Sequence, residues 1–308
     1  IFLNNLLNYI PAKRNIKKLT NGRIKAQIIE TPVNMPKSIS PIKIWGPYIC
    51  NCITNWGFLR IIIPEKICDP SRGGIGIILK TAKEIFIWLK HGEGQLLWDE
   101  LYSKFNLKGF PAGNTGTTMG GWYNKEINTL KDFQGLKMRI PGLGGEIINR
   151  LGGTAVNLSG GEVINSLKLG VIDAAEWAGP WPDTIMGFHK AAKYYYGPGI
   201  HEPNTLCELM INKEIWDNLP PEYKIIIENA SYASYLEVLT EYFYKNAKAL
   251  RIIKKEYNVD VRSFSSDIVE MFFLNSENIV KENQKDNEAY RDIYESWKEN
   301  IKLYNEYH

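Results

Sequence analysis

The sequence predicts an α/β fold built around a mostly parallel sheet, and three observations carry that reading. Short apolar or alternating runs are separated by helical patterns from about residue 107 to 177. A proline-opened run from Pro220-Pro221-Glu222 to about Tyr257 contains no further Pro or Gly to stop a helix. A hydrophobic content of 44% over 308 residues is enough to fill one large or two ordinary α/β domains without staples.

In chain order, residues 1–30 read as a helix, a turn at Thr20-Asn21-Gly22, and a strand in which Ile24, Ala26 and Ile28 alternate with polar neighbours. Between 31 and 80, Pro32, Pro36, Pro41, Pro47, Pro64 and Pro70 interrupt every element, and neither period persists. From Lys83 one helix carries Ile85, Ile87, Trp88, Leu96, Leu97, Trp98 and Leu101, and Leu107 to Phe110 follows as a strand. Strands are then expected at Gly121–Tyr123, Leu136–Ile140, Val156 and Ala174–Trp177. Helices are expected at Leu130–Phe133, Gly145–Leu151 and Glu162–Leu169. Short strands alternating with helices imply a sheet covered on both faces. The helix over 221–257 carries Ile225, Ile226, Ala230, Ala233, Leu236, Leu239, Phe243 and Ala247, a stripe able to lie across two lobes and brace them. Residues 266–304 add one or two amphipathic helices.

Composition narrows the function. Thirty-seven basic against 34 acidic residues leave a net charge of +3, too thinly spread for a nucleic-acid footprint. Nine Trp and 17 Tyr lean towards stacking surfaces or a ligand cleft. Cys50, Cys52, Cys68 and Cys207 lack zinc-knuckle spacing and read as unpaired thiols. The most apolar window, Ile75 to Leu89, is broken by Lys80, Lys83 and Glu84 and is too short to span a bilayer. The chain begins at Ile1 with no secretory pattern, so the expectation is a leader already removed or a fragment.

Four segments offer chemistry. In Arg139-Ile140-Pro141-Gly142-Leu143-Gly144-Gly145-Glu146, an arginine ends a strand and a glycine-rich turn opens a helix, a place that suits an anion; the competing reading is a plain turn. It is neither a dinucleotide fingerprint nor a Walker loop. In Asp173-Ala174-Ala175-Glu176-Trp177-Ala178-Gly179-Pro180-Trp181, a carboxylate and an indole stand at a strand end, where open α/β sheets bind ligands; a core Trp beside a solvated Glu is the alternative. A metal at that place could use the Glu carboxylate with the Trp backbone carbonyl. The glycine-rich run from Phe110 to Trp122, with Asn114 inside it, suits a crossing between domains, a ligand cradle or a surface loop. Glu202, in His201-Glu202-Pro203, offers one more oxygen ligand. No Gly-x-Ser-x-Gly elbow, metal-helix His spacing or activated Cys occurs.

Gly120-Gly121-Trp122-Tyr123-Asn124-Lys125-Glu126-Ile127, the run Asp132 to Glu146, and Gly170 to Trp177 continuing to Gly179-Pro180 together resemble the solute receptors of tripartite ATP-independent periplasmic (TRAP) transporters. The resemblance is to the branch that binds 2-oxo acids, lactate and related monocarboxylates. It runs almost continuously from about Trp88 to Leu219. It implies a two-lobed periplasmic-binding-protein-like α/β fold, with lobe I formed by 1–112 and the returning 206–308, including the bracing helix 221–257, and lobe II by 113–205. It implies that Arg139 holds the ligand carboxylate, with Asn114, Thr118, Trp177 and Asn157 as further substrate contacts. Glu176, Trp177 through its carbonyl, and Glu202 are implied as ligands of a sodium or calcium ion bound with the substrate, with no other cofactor. Thr118 stands where relatives commonly carry Gln, and residues 31–80 lack the Tyr-Tyr-Trp stretch expected on the first lobe. The implied protein is periplasmic and not an enzyme. Its partners are a small monocarboxylate, the membrane permease subunits of a TRAP transporter and no nucleic acid, with a homodimer open. The competing readings are a lyase- or glycosidase-type enzyme using Glu176 and Glu146 as acid and base, and a degraded, non-functional relative.

Overall fold

The computed structural model describes residues 81–285 and 287–307. The elements expected over 1–30, the stretch 31–80, and Cys50, Cys52 and Cys68 lie outside them. The described chain runs α1 (Ala82–His91), α2 (Gly94–Ser103), β1 (Leu107–Asn114), β2 (Gly121–Tyr123), β3 (Lys137–Arg139), α3 (Gly142–Arg150), β4 (Thr154–Val156) and α4 (Gly160–Lys168). It continues with β5 (Ala174–Ala175), α5 (Pro180–Met186), β6 (Tyr194–Gly197), β7 (Leu206–Asn212), α6 (Lys213–Asp217), α7 (Pro221–Glu256), β8 (Asp260–Ser263), α8 (Ser266–Lys285) and α9 (Glu288–Tyr307). Among the described residues no helix is long and apolar enough to cross a membrane.

The single helix expected from Lys83 is divided. Gly92 ends α1 in extended backbone, its N–H returning to Ile87 O and Trp88 O. A Cβ at Gly92 would lie 2.9 Å from the Trp88 carbonyl, so glycine permits the break that the apolar pattern alone conceals.

Two sheets form. β1 pairs antiparallel with β7, from Leu107 opposite Asn212 to Asn114 opposite Leu206. The other six strands lie in the order β4-β3-β5-β2-β6-β8. The β3 strand is parallel to β4 and β5, and β6 to β8, but β2 runs antiparallel to both β5 and β6. That strand is entered straight from the chain leaving β1, so no helical crossover fixes its direction, and it is the antiparallel member of a sheet that is otherwise parallel, in line with the mostly parallel expectation.

Alternation along the strands splits the large sheet's two faces. Tyr123, Met138, Ala174 and Tyr196 meet Ile147 and Ile148 of α3 and Ile268 and Phe272 of α8. Trp122, Ala175 and Tyr195 meet Val163 and Leu167 of α4 and Tyr242 and Ile253 of α7. Both faces are buried, and hence β6 reads Tyr-Tyr-Tyr instead of apolar-polar. A smaller cluster, Ile85, Trp88, Leu89, Ile293 and Trp297, fastens α9 to α1.

The 36 residues of α7 span about 54 Å and lie along both sheets. Near the small sheet, the hydroxyl of Ser234 donates to Ala112 O at 2.8 Å and that of Tyr235 to Ala82 O at 2.7 Å. The buried face is Ala230, Ser231, Ser234, Tyr235, Tyr242, Ala249 and Ile253. Ile225, Leu236 and Phe243 of the expected stripe are instead 60%, 63% and 51% exposed. Small residues let β1 approach the helix closely, and tyrosines bury a ring while bonding through the hydroxyl, so polar letters carry the inner face. Of the segment 206–308, α9 packs on α1 and α2, whereas β8 pairs with β6 and α8 packs on α3, placing 260–285 with the large sheet.

Candidate functional site

Two neighbouring segments join the sheets, 115–120 between β1 and β2 and 198–205 between β6 and β7. They bond to each other: Thr115 N donates to Thr205 O at 3.0 Å, Thr118 N to Pro203 O at 3.2 Å, and Gly199 N to Thr118 O at 3.0 Å. The Thr118 hydroxyl donates to the Glu202 carbonyl. Asn114 Nδ2 donates to Asn204 Oδ1 at 2.7 Å, and its Oδ1 accepts from Gly116 N at 2.9 Å. Both asparagines are buried, so these amides staple the two segments together.

On the large sheet, register brings the chemistry to one place. Arg139 ends β3 opposite Ala175, and Glu176 N donates to Arg139 O at 2.9 Å, which sets Glu176 beside the arginine. Arg139 Nη1 donates to Glu176 O at 3.0 Å and reaches Glu176 Oε2 at 3.5 Å. The guanidinium carbon lies 5.0 Å from the Trp177 ring centroid, a cation–π distance. Arg139 is 4% exposed and Glu176 1%. The second carboxylate oxygen, Oε1, is 3.7 Å from His201 Nε2. Among the described residues neither His201 Nε2 nor Trp177 Nε1, both buried, has a hydrogen-bond partner.

Electrostatics follow from this packing. Burial lowers the Arg139 pKa, opposed by Glu176 and Glu202. Burial first, then Glu176, pushes the Glu202 carboxyl up to about 7, while its Oε1 accepts from Thr205 Oγ1 at 3.1 Å. Two acids therefore face one fixed cation. Carboxylate and carbonyl oxygens are the donors that suit a hard cation. Among the described residues no three His, Cys, Asp or Glu side chains gather around one point, so these acids would need backbone or guest oxygens to complete a shell.

Of the residues expected at the site, Arg139, Glu176 and Trp177 come into contact, and Glu202 lies within electrostatic reach. Thr118 is engaged with the backbone of Glu202, and Asn114 with Asn204. Asn157, just past β4, is exposed and directly follows Val156, the residue paired with Arg139. The glycine-rich start of α3 serves close packing: a Cβ at Gly145 would lie 3.0 Å from both Ala155 Cβ and Ile140 O. Glu146 pairs at 2.5 Å with Arg150 and is partly exposed, whereas Glu176 is buried on Arg139, so the two acids of the enzyme reading sit in different surroundings.

Sequence reasoning overlooked the support beneath Glu176 and Trp177. Asp183 Oδ1 accepts from Ala178 N at 3.2 Å and Gly179 N at 3.0 Å, and Oδ2 accepts from Trp122 Nε1 and Tyr195 Oη, each at 2.8 Å. Two residues past Gly179, inside α5, Trp181 N donates to Asn246 Oδ1 of α7 at 3.0 Å. An acid in the first turn of a helix opened by Gly-Pro was the available signal for Asp183, because Gly179 has no side chain with which to cap. No local pattern marks Asn246.

The chain matches the family DctP, described as bacterial extracellular solute-binding protein, family 7, over residues 80–287. It is 40% identical over 218 residues to a monocarboxylate 2-oxoacid-binding periplasmic protein of Nostoc sp. PCC 7120, covering 71% of this chain and 60% of that relative's length. A TRAP periplasmic solute-binding protein of Colwellia psychrerythraea, solved with calcium and pyruvate, superposes with a TM-score of 0.70 at 35% identity, over 74% of this chain and 69% of its own. One from Pseudoalteromonas atlantica T6c, with sodium and pyruvate, gives 0.69 at 35% identity, over the same 74% and 69%.

Proposed function

We propose, from the fact that this chain belongs to DctP, the bacterial extracellular solute-binding protein family 7, that it is a periplasmic receptor for a small 2-oxo monocarboxylate of the pyruvate type. The carrying observation is Arg139, a buried guanidinium set between an indole and an acid at the end of a strand. The Nostoc relative is named for 2-oxoacids, and the two bacterial structures hold pyruvate with calcium or sodium, which supports the same guest here.

The chain's own residues perform the capture. The Arg139 donors not spent on Glu176 take the carboxylate, and Trp177 holds the guanidinium plane. The joined segments 115–120 and 198–205, stapled by Asn114 and Asn204, let the sheets approach while keeping Thr118 and Glu202 in register. Trp177 Nε1 and His201 Nε2 are the buried groups left to bond guest or water. A sodium or calcium ion held by Glu176, Glu202 and the Trp177 carbonyl would supply the positive charge that lets acids and guest share the space. The receptor hands its guest unchanged to TRAP membrane subunits.

Magnitudes agree with this division. A guanidinium and carboxylate about 4 Å apart gain about 4 kcal/mol at an effective dielectric near 20, and micromolar affinity needs about 8 kcal/mol. Apolar walls and the cation must provide the rest and offset ordering. Calorimetry with pyruvate tests the reading. Micromolar binding that weakens with a chelator is expected, with pyruvate recovered intact; no binding, or consumption of the acid, overturns it. Arg139→Lys keeps the charge but loses the fork, and affinity is expected to fall about tenfold or more.

A further inference from the structure

The loop that carries Glu176 and Trp177 has no secondary structure of its own between β5 and α5. Its position must come from elsewhere. Asp183 meets it from below: one carboxylate oxygen holds the N–H groups of Ala178 and Gly179, the two residues directly after Trp177. The other oxygen is held by Trp122 of β2 and Tyr195 of β6, whose rings stack 3.9 Å apart between centroids. Asp183 is 1% exposed. All donors around it are fixed by the sheet or the loop, so the carboxylate cannot move without breaking one of them.

We infer that Asp183 is a positioning residue for the binding site, transmitting the geometry of strands β2 and β6 to the loop that presents Glu176 and Trp177. The inference rests on the carboxylate-receptor reading only for its effect on affinity; the grip on the loop is independent of the guest. The other donors to Asp183 make a matched control available. Trp122→Phe removes a hydrogen bond of the same 2.8 Å length from Oδ2 but leaves Oδ1 on the loop. Asp183→Asn keeps the size, yet an amide nitrogen must then face either the loop N–H groups or the indole N–H, donor against donor.

The test compares the two variants with the intact protein. Amide exchange without guest is expected to accelerate at Ala178 and Gly179 by about a hundredfold in Asp183→Asn and by less than about tenfold in Trp122→Phe, relative to core amides in β6. Pyruvate affinity is expected to fall about tenfold or more in Asp183→Asn and to stay within about threefold in Trp122→Phe, although both lower the melting temperature. Equal changes in the two variants would make Asp183 an ordinary structural acid and overturn the inference. If the intact protein binds no pyruvate, the receptor reading fails while the exchange comparison still decides the role of Asp183. If Asp183→Asn does not fold, the intact protein decides: Ala178 and Gly179 exchanging as slowly as the strand amides supports the grip, and exchange as fast as that of the exposed turn at Gly170 overturns it.

Discussion

Two buried acids a few residues apart, Glu176 and Asp183, live under opposite conditions. Asp183 accepts from four donors between 2.8 and 3.2 Å. Glu176 has Arg139 at 3.5 Å and His201 at 3.7 Å, both long, beside nitrogens of His201 and Trp177 that have no hydrogen-bond partner among the described residues. The first is a finished network and the second an unfinished one. A buried polar group left partly satisfied costs free energy, so the unfinished cluster is where a guest gains most by arriving.

The sharpest way to break that contrast is to remove Arg139. Arg139→Ala leaves Glu176 buried without its cation and is expected to cost about 3–5 kcal/mol of stability and all measurable pyruvate binding. Adding Glu176→Gln should return most of the stability, read by denaturant unfolding, with binding still absent. Recovery of binding in the double variant would show that the guanidinium is not the anchor. On the finished side, Trp122→Phe loses one hydrogen bond and some ring area, an expected loss of about 1–3 kcal/mol read by the same unfolding.

Weaker effects come from acids outside both clusters. Burial pushes the Glu208 carboxyl up to about 7, with Tyr102 Oη donating to it at 2.8 Å. A raised carboxyl holds its proton longer in the folded state, so its contribution is full below the ordinary value near 4.5 and is lost as pH rises through about 7. Glu208→Gln should therefore flatten that part of the stability profile, by roughly 2 kcal/mol at pH 8. Glu126 is the opposite and smallest case. Arg262 foremost, then Asn128 and Tyr194, lower its carboxyl to about 2, so its stabilisation is present above the ordinary value of 4.5 and disappears as pH falls through about 2. In Glu126→Gln that acid slope is expected to shrink slightly.

The contrast also explains what could be read in the sequence. Arg139, Glu176 and Trp177 lie next to turns at strand ends, so their meeting depends on short-range pattern plus parallel pairing. The strand at Gly121–Tyr123 was visible for the same reason, as was the start of the one expected over Ala174–Trp177, which ends at Ala175. Asp183 was not, because its donors come from 61 and 12 residues away and from its own loop. The inner face of α7 was misread because apolarity was taken as the sign of burial, whereas Ser231, Ser234 and Tyr235 are inside and Leu236 is outside. The direction of β2 and the return of 260–285 to the large sheet are set by pairing partners that no window of sequence contains.

Connectivity between the two sheets has a mechanical consequence. The segments 115–120 and 198–205 and the rod α7 each tie the same two bodies. Bodies joined at several points swivel and slide less freely than bodies on a single linker, so any relative motion of the sheets is expected to be a bend about the paired segments 115–120 and 198–205.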